Sequence, residues 1–200
     1  MMMIEKNLYI VAGCNGAGKT TASFTFLPEI IHCREFVNAD EIARGISPFQ
    51  PEEVSIEAGR IMLERIENLI QHGENFAFET TLATKSHRGK ILKAKNAGFT
   101  VTLMFFWLKS VELAKERVKI RVQEGGHFID DATIKRRYKN GLVNLFEIFL
   151  PLSDGVMVFD NSDGLCELIA QKTFDQGLRI HDQPKYNEIL KYYENYRRTN

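Results

Sequence analysis

Eight residues near the start of the chain, Gly13-Cys14-Asn15-Gly16-Ala17-Gly18-Lys19-Thr20, follow the spacing G-x-x-x-x-G-K-[ST]. Their types suit one task, holding the phosphates of a nucleotide. Glycines leave backbone N–H groups free to close on phosphate oxygens, since no Cβ intervenes and positive φ is open to them. A helix opening at Thr20 adds the partial positive charge of its N-terminus. Lys19, expected in a solvent-facing loop, is long enough to reach the β- and γ-phosphates, and the Thr20 hydroxyl suits Mg²⁺. The expected ATP-binding set is Gly13, Cys14, Asn15, Gly16, Ala17, Gly18, Lys19, Thr20 and Thr21, joined by Arg117, with ATP and Mg²⁺ as cofactors. Cys14 reads either as a thiol activated by the helix dipole or as a small side chain that fits a variable position. The second reading is preferred.

Acid–base chemistry needs a carboxylate beside such a loop, and two are spaced to arrive there. Asp40 follows the short strand candidate 34–38, and Glu79 closes the strand candidate 75–78 just before Thr80-Thr81. Asp40 suits a general base for an acceptor hydroxyl; its plainer alternative is to cap a helix starting at Glu41. Glu79 at the end of an apolar strand is costly unless used or paired; an ion pair with a lid arginine is the structural alternative to a functional role. Thr80 and Thr81 offer hydroxyls to a sugar or phosphate, although threonine is ordinary at strand ends. Arg117, Arg121, Arg136 and Arg137 supply charge for a transferring phosphoryl group. Arg117 and Arg121 share a helical face, and Gly125-Gly126 is placed to hinge a lid. The same arginines also read as a solvated stripe near Glu116 and Glu124, where surface pairs contribute little. His127, after the glycines, reads as a loop histidine with a backbone partner.

Alternating strands and helices must position these groups. Segments 8–12, 34–38, 75–78, 99–108 and 155–159 read as strands. Helices are expected at 20–27 (stopped by Pro28), from Pro51 to Gly73, and at 86–96, 111–123, 132–149 and 184–198. Residues 165–181 read equally as a hairpin or as a helix plus strand. Strands joined by helical crossovers predict a three-layer α/β fold of the P-loop NTPase type. Its five-stranded, mainly parallel sheet carries helices on both faces, as one domain over 1–200 with an arginine-bearing lid at about 111–140. Ligands of such sheets bind at the carboxyl ends of the strands, so the phosphate loop, Asp40 and Glu79-Thr80-Thr81 should share one cleft.

Composition sets the outer limits. A formal net charge of +0 over 200 residues argues against a general nucleic-acid binder. No apolar run approaches the roughly 18 residues of a membrane span. Three scattered cysteines, Cys14, Cys33 and Cys166, match neither a disulfide framework nor a zinc pattern. The start, Met1-Met2-Met3-Ile4-Glu5-Lys6, lacks the basic-then-apolar layout of a signal peptide. A cytoplasmic location follows as the expectation.

The strand 101–108 ends in Lys109-Ser110 and so lacks the acidic residue of an ordinary ATPase. Single carboxylates after strands two and three, plus an arginine-bearing helix-loop-helix before strand five, form the layout of small-molecule kinases. In Ala12–Thr21, Asn38-Ala39-Asp40, Phe78-Glu79-Thr80-Thr81, Arg117–Arg121, Gly125-Gly126-His127 and Ile134–Tyr138, the chain resembles the zeta-toxin family over about residues 8–145. That resemblance implies the toxic half of a toxin–antitoxin pair, which phosphorylates UDP-N-acetylglucosamine with ATP and Mg²⁺. It implies Asp40 as general base and Glu79, with Thr80 and Thr81, on the acceptor sugar. Lys19, Arg121 and Arg136 would stabilise the γ-phosphoryl group, with Arg117 and Arg137 as competitors for the lid positions. A small hydroxylated acceptor, a nucleotide-sugar first, and an antitoxin protein are the implied partners. The rivals are a nucleotide-binding regulator without chemistry and a kinase for another hydroxyl.

Overall fold

The structure, a computed structural model, describes residues 5–173 and 175–198. Met1–Ile4, on which part of the leader expectation rests, lie outside them. β1 (Lys6–Gly13) and β4 (Phe99–Trp107) form the centre of the sheet. Both faces of these strands are covered, so they are apolar almost throughout rather than alternating. Ile10 lies opposite Phe78 of β3 (Phe76–Thr80) on one side and Leu103 of β4 on the other, and all three are fully buried.

The sheet has seven strands in the order β2-β3-β1-β4-β5-β6-β7, where five were expected. The expected strands, including β2 (Phe36–Val37) and β5 (Gly155–Asp160), make up its parallel part. The additional pair, β6 (Glu167–Lys172) and β7 (Leu178–Ile180), is antiparallel and settles the ambiguous 165–181 segment as a hairpin. In β6 only Ile169 and Ala170 are buried, too short a signal for a period to show. From β1 the chain crosses one way to β2 and later returns the other way to β4 and β5. Right-handed crossovers in both directions place helices on both faces. The reversal beside β1 opens a crevice at the carboxyl ends.

Helix ends differ from the expectation where proline was the guide. α1 (Lys19–Glu29) continues past Pro28, because in the last turn the ring forfeits a single hydrogen bond and Ile30 N–H still reaches Phe26 O. After α2 (Ala39–Ile46), α3 (Ser55–His72) starts beyond Pro51, whose neighbours form turns instead. It ends on left-handed Gly73, which donates to the Leu69 and Ile70 carbonyls in the way glycine closes helices. Then come α4 (His87–Asn96), α5 (Val111–Gln123) and α6 (Asp131–Asn144). α6 runs on through a π turn at Leu145–Phe149 into the short α7 (Leu150–Leu152).

α8 (Gln183–Arg198) fixes the hairpin α5–α6 from outside. Tyr192 and Tyr196 meet Tyr138 of α6 edge-on at 6.1 and 6.4 Å, and Tyr193 lies 4.7 Å from Phe146. Lys185 of α8 pairs at 2.9 Å with Asp160 at the end of β5. The Tyr138 hydroxyl donates to Leu108 O at 2.6 Å, tying α6 to the end of β4. Among the described residues no helix is long and apolar enough to cross a membrane.

Candidate active site

The phosphate loop is held in shape by backbone that no side chain could share. Gly13 has φ +146°, and a Cβ there would sit 2.3 Å from Phe106 O. Gly18 has φ +79°, and a Cβ would strike the Asn161 amide, whose Nδ2 donates to Ala17 O at 2.9 Å. The loop after β5 thus braces the phosphate loop. Cys14 is buried, and burial pushes its thiol up to about 11. It is a filler rather than a nucleophile.

Lys19 is buried at the first position of α1, not in an exposed loop as expected. Its Nζ donates to Cys14 O at 2.9 Å and lies 3.4 Å from Glu79 Oε1. Glu79 Oε2 accepts from the Thr20 hydroxyl at 2.7 Å and from Asn38 Nδ2 at 3.0 Å. A largely desolvated carboxylate needs this many donors to offset its lost hydration. The expected arginine partner of Glu79 is therefore replaced by Lys19. The reason is register: Val11 of β1 stands opposite Glu79, so β3 delivers its carboxylate to the phosphate loop next door.

Asp40 does not cap its helix. α2 starts one residue before it, and Asn38 Oδ1 is the cap, accepting from Asp40 N–H at 2.8 Å. The Asp40 carboxylate is left half exposed, 3.7 Å from His127 Nε2. Burial moves His127 below the ordinary histidine range, with Asp40 opposing and Arg121, Arg44 and Arg137 reinforcing. The backbone partner expected for His127 is thus a carboxylate. Asp40 lines both the main cleft, of about 570 Å³, and a smaller hollow of about 330 Å³ that also holds His127 and Arg136.

The cleft brings together Asn15, Gly16, Gly18, Lys19, Thr20, Thr21, Asp40, Glu79, Thr80 and Thr81 with three of the four expected arginines, Arg117, Arg121 and Arg137, and with Arg60. Arg117 Nη2 donates to Ser162 O at 2.8 Å, and Arg137 Nη1 to Asn15 Oδ1 at 3.2 Å. Arg121 Nε and Nη2 are buried with no hydrogen-bond partner. Gly126 packs directly on Arg121: its N–H donates to Arg121 O, and a Cβ would lie 2.8 Å from that oxygen. Arg136 faces the smaller hollow and does not line the main cleft. Sequence reasoning missed the Asn38 clamp, for which the cap spacing Asn38-Ala39-Asp40 was the available signal. It also missed Asn161, Arg60 and His87, for which no local pattern spoke.

The residues fit an Mg-nucleotide. The unpartnered Arg121 donors and the loop amides suit phosphate oxygens, and Thr20 and Glu79 supply hard oxygen ligands. Among the described residues no cluster of three or more His, Cys, Asp or Glu could hold a metal, so any Mg²⁺ held here would share its shell with phosphate.

A phosphate loop after β1, carboxylates after β2 and β3, and arginines from the hairpin after β4 define a kinase-like P-loop protein. The profile of the zeta toxin family matches residues 3–166, and the chain belongs to that family. A protein of Haemophilus influenzae (strain ATCC 51907 / DSM 11121 / KW20 / Rd), described as uncharacterized, is 32% identical over 143 residues, which is 68% of this chain and all of that protein. Among solved structures, the AvrRxo1-ORF1:AvrRxo1-ORF2 complex with sulphate ions aligns with a TM-score of 0.75 at 16% identity, over 92% of this chain and 63% of the other. This chain therefore spans less than two thirds of that one. The same complex solved with ATP gives 0.73 over the same shares at 16% identity. The PezAT toxin–antitoxin system of Streptococcus pneumoniae gives 0.67 at 17% identity, over all of this chain and 88% of that one.

Proposed function

We propose that the protein transfers the γ-phosphoryl group of ATP to a hydroxyl of a small acceptor, as the toxin of a toxin–antitoxin pair. UDP-N-acetylglucosamine is the first acceptor to test. The observation that carries the reading is the cleft itself. The clamped Lys19–Glu79–Thr20 cluster, the half-exposed Asp40 carboxylate and the Arg121 donors face one space.

Asp40 takes the proton of the acceptor hydroxyl as its oxygen bonds to the γ-phosphorus, and the bond from that phosphorus to the β–γ bridging oxygen breaks, releasing ADP. Lys19 and the lid arginines Arg121 and Arg137 neutralise charge on the transferring group, with Arg117 on the nucleotide side. Arg136 reaches the reaction through the hollow that shares Asp40. Thr20 and Glu79 would hold Mg²⁺, which would supply charge neutralisation of the β- and γ-phosphates. Thr80 and Thr81 stand on the acceptor side. Incubation with ATP, Mg²⁺ and a bacterial metabolite extract, followed by mass spectrometry, should reveal one phosphorylated product. If no metabolite gains a phosphoryl group while ATP binds, the transfer reading fails.

A further inference from the structure

The cleft has a second end that ATP does not explain. Cations reach the phosphate-loop end from the β4–β5 side of the sheet, on α5 and α6. The other end is walled by α3 and by the segment after β3, on the β2–β3 side. One cation lies there, the exposed Arg60 of α3, and no carboxylate among the described residues pairs with it. An arginine at a cleft wall with its fork unengaged is suited to a phosphate or carboxylate.

His87, the first residue of α4, lines the same end. It is only 9% exposed, its ring lies 4.9 Å from that of Phe78, and its Nδ1 is buried without a partner. Leaving such a nitrogen unpaired would destabilise the fold, so a ligand or an ordered water is expected to meet the ring. Burial pulls its pKa down to about 4, so the ring stays uncharged around neutral pH and hydrogen-bonds without titrating.

The turn between these groups is fixed from behind. Leu82 is fully buried with φ +55°, a conformation costly for a branched side chain. Thr80 and Thr81 hydroxyls accept from Leu82 and Ala83 N–H, and Asn144 Nδ2 of α6 donates to Leu82 O at 2.7 Å. Gly141 lets α6 approach so closely that a Cβ would sit 2.6 Å from Thr81 O. Strain of this kind persists where the surroundings over-determine it, and it gathers at ligand sites.

We propose that Arg60 and His87 form the acceptor-recognition subsite for a hydroxylated molecule that also carries a phosphate or carboxylate group. Arg60 pairs with the anionic group, and His87 hydrogen-bonds the body of the molecule. The proposal rests on the kinase reading above and adds the residues that choose the acceptor.

The test is equilibrium binding to the full chain saturated with Mg·AMP-PNP, using two matched probe pairs. UDP-N-acetylglucosamine against N-acetylglucosamine reports a phosphate source; gluconate against glucose reports a carboxylate source. The wild type should prefer the anionic member of one pair by about tenfold or more, and Arg60→Gln should erase that preference, a roughly 10- to 100-fold loss. Arg60→Gln should leave AMP-PNP affinity unchanged. His87→Gln should weaken both members of the favoured pair by about 3- to 10-fold; should it melt early, His87→Asn replaces it. A preference that survives Arg60→Gln, equal binding within both pairs, or no saturable probe binding overturns the subsite while bound AMP-PNP leaves the kinase reading standing. Failure of AMP-PNP itself to bind overturns both.

Discussion

The two ends of the cleft are built on opposite principles. At the phosphate-loop end nearly every polar group is already engaged: Lys19 with Cys14 and Glu79, Glu79 with Thr20 and Asn38, Arg117 with Ser162, and Arg137 with Asn15. At the far end, among the described residues, Arg60 has no carboxylate partner and His87 Nδ1 has no hydrogen-bond partner. A ligand common to every turnover can be met by a wired, pre-organised surface, which lowers the reorganisation cost of catalysis. A ligand that must be discriminated is better met by groups that remain unsatisfied until the right one arrives. Arg121, whose Nε and Nη2 are buried without partners, is the exception on the wired side, as a group awaiting the transition state would be.

The largest effect should come from cutting the wired end. Lys19→Ala is expected to lower ATP turnover by about 10³-fold or more. It should also lower the melting temperature, because the side chain is only 6% exposed and its loss leaves the largely desolvated Glu79 carboxylate without its cation. Turnover unchanged in this variant would break the comparison at its root. Next is Asp40→Asn, with a rate loss of about 10²–10⁴-fold and little change in melting temperature, since Asn38 holds the cap. Expressed alone in bacteria, the wild-type chain should slow growth, and Asp40→Asn should relieve it. Growth equally poor with both would place toxicity outside the transfer chemistry.

The far end yields a stability signature instead. His87 has a folded pKa of about 4 against an ordinary 6.5. The unfolded chain therefore binds a proton that the folded one refuses as pH falls from about 6.5 to about 4. A depressed histidine contributes stability that is present above 6.5 and lost on acidification, here on the order of 3 kcal/mol. Thermal melts across that window should fall with pH, and His87→Gln should flatten the slope. An identical slope in the variant would show that the buried ring does not govern this end.

The two ends also differed in how legible they were. The phosphate loop announces itself because its chemistry is local: eight contiguous residues carry the spacing, and the strand and helix beside it follow from short-range pattern. Five strands and most helices were readable for the same reason. Arg60 and His87 belong to elements whose sequence signals are core stripe and lysine-rich face, and only the approach of α3, α4 and β3 brings them to one wall. The partner of Glu79 was hidden likewise, since parallel register, not sequence spacing, sets it beside Lys19. β6 and β7 stayed ambiguous because so little of either is buried.

The smallest expected effect separates cap from clamp at Asn38, where the wired end begins. Its Oδ1 closes the first turn of α2, and its Nδ2 holds Glu79. Asn38→Ala loses both and should cost about 1–2 kcal/mol, roughly 1 of it from the cap. Asn38→Asp keeps an equally good cap but swaps the donor to Glu79 for a second carboxylate, and like charges at a shared buried site raise a carboxyl pKa. If wiring matters, the Asp variant should match the wild type in helix stability at low pH and fall behind it as pH rises and both carboxylates ionise. ATP affinity should drop modestly alongside, as Glu79 is pushed off Thr20. Should Asn38→Asp instead melt like the wild type at every pH, Nδ2 contributes nothing to the clamp, and Lys19 with Thr20 alone holds Glu79 in place.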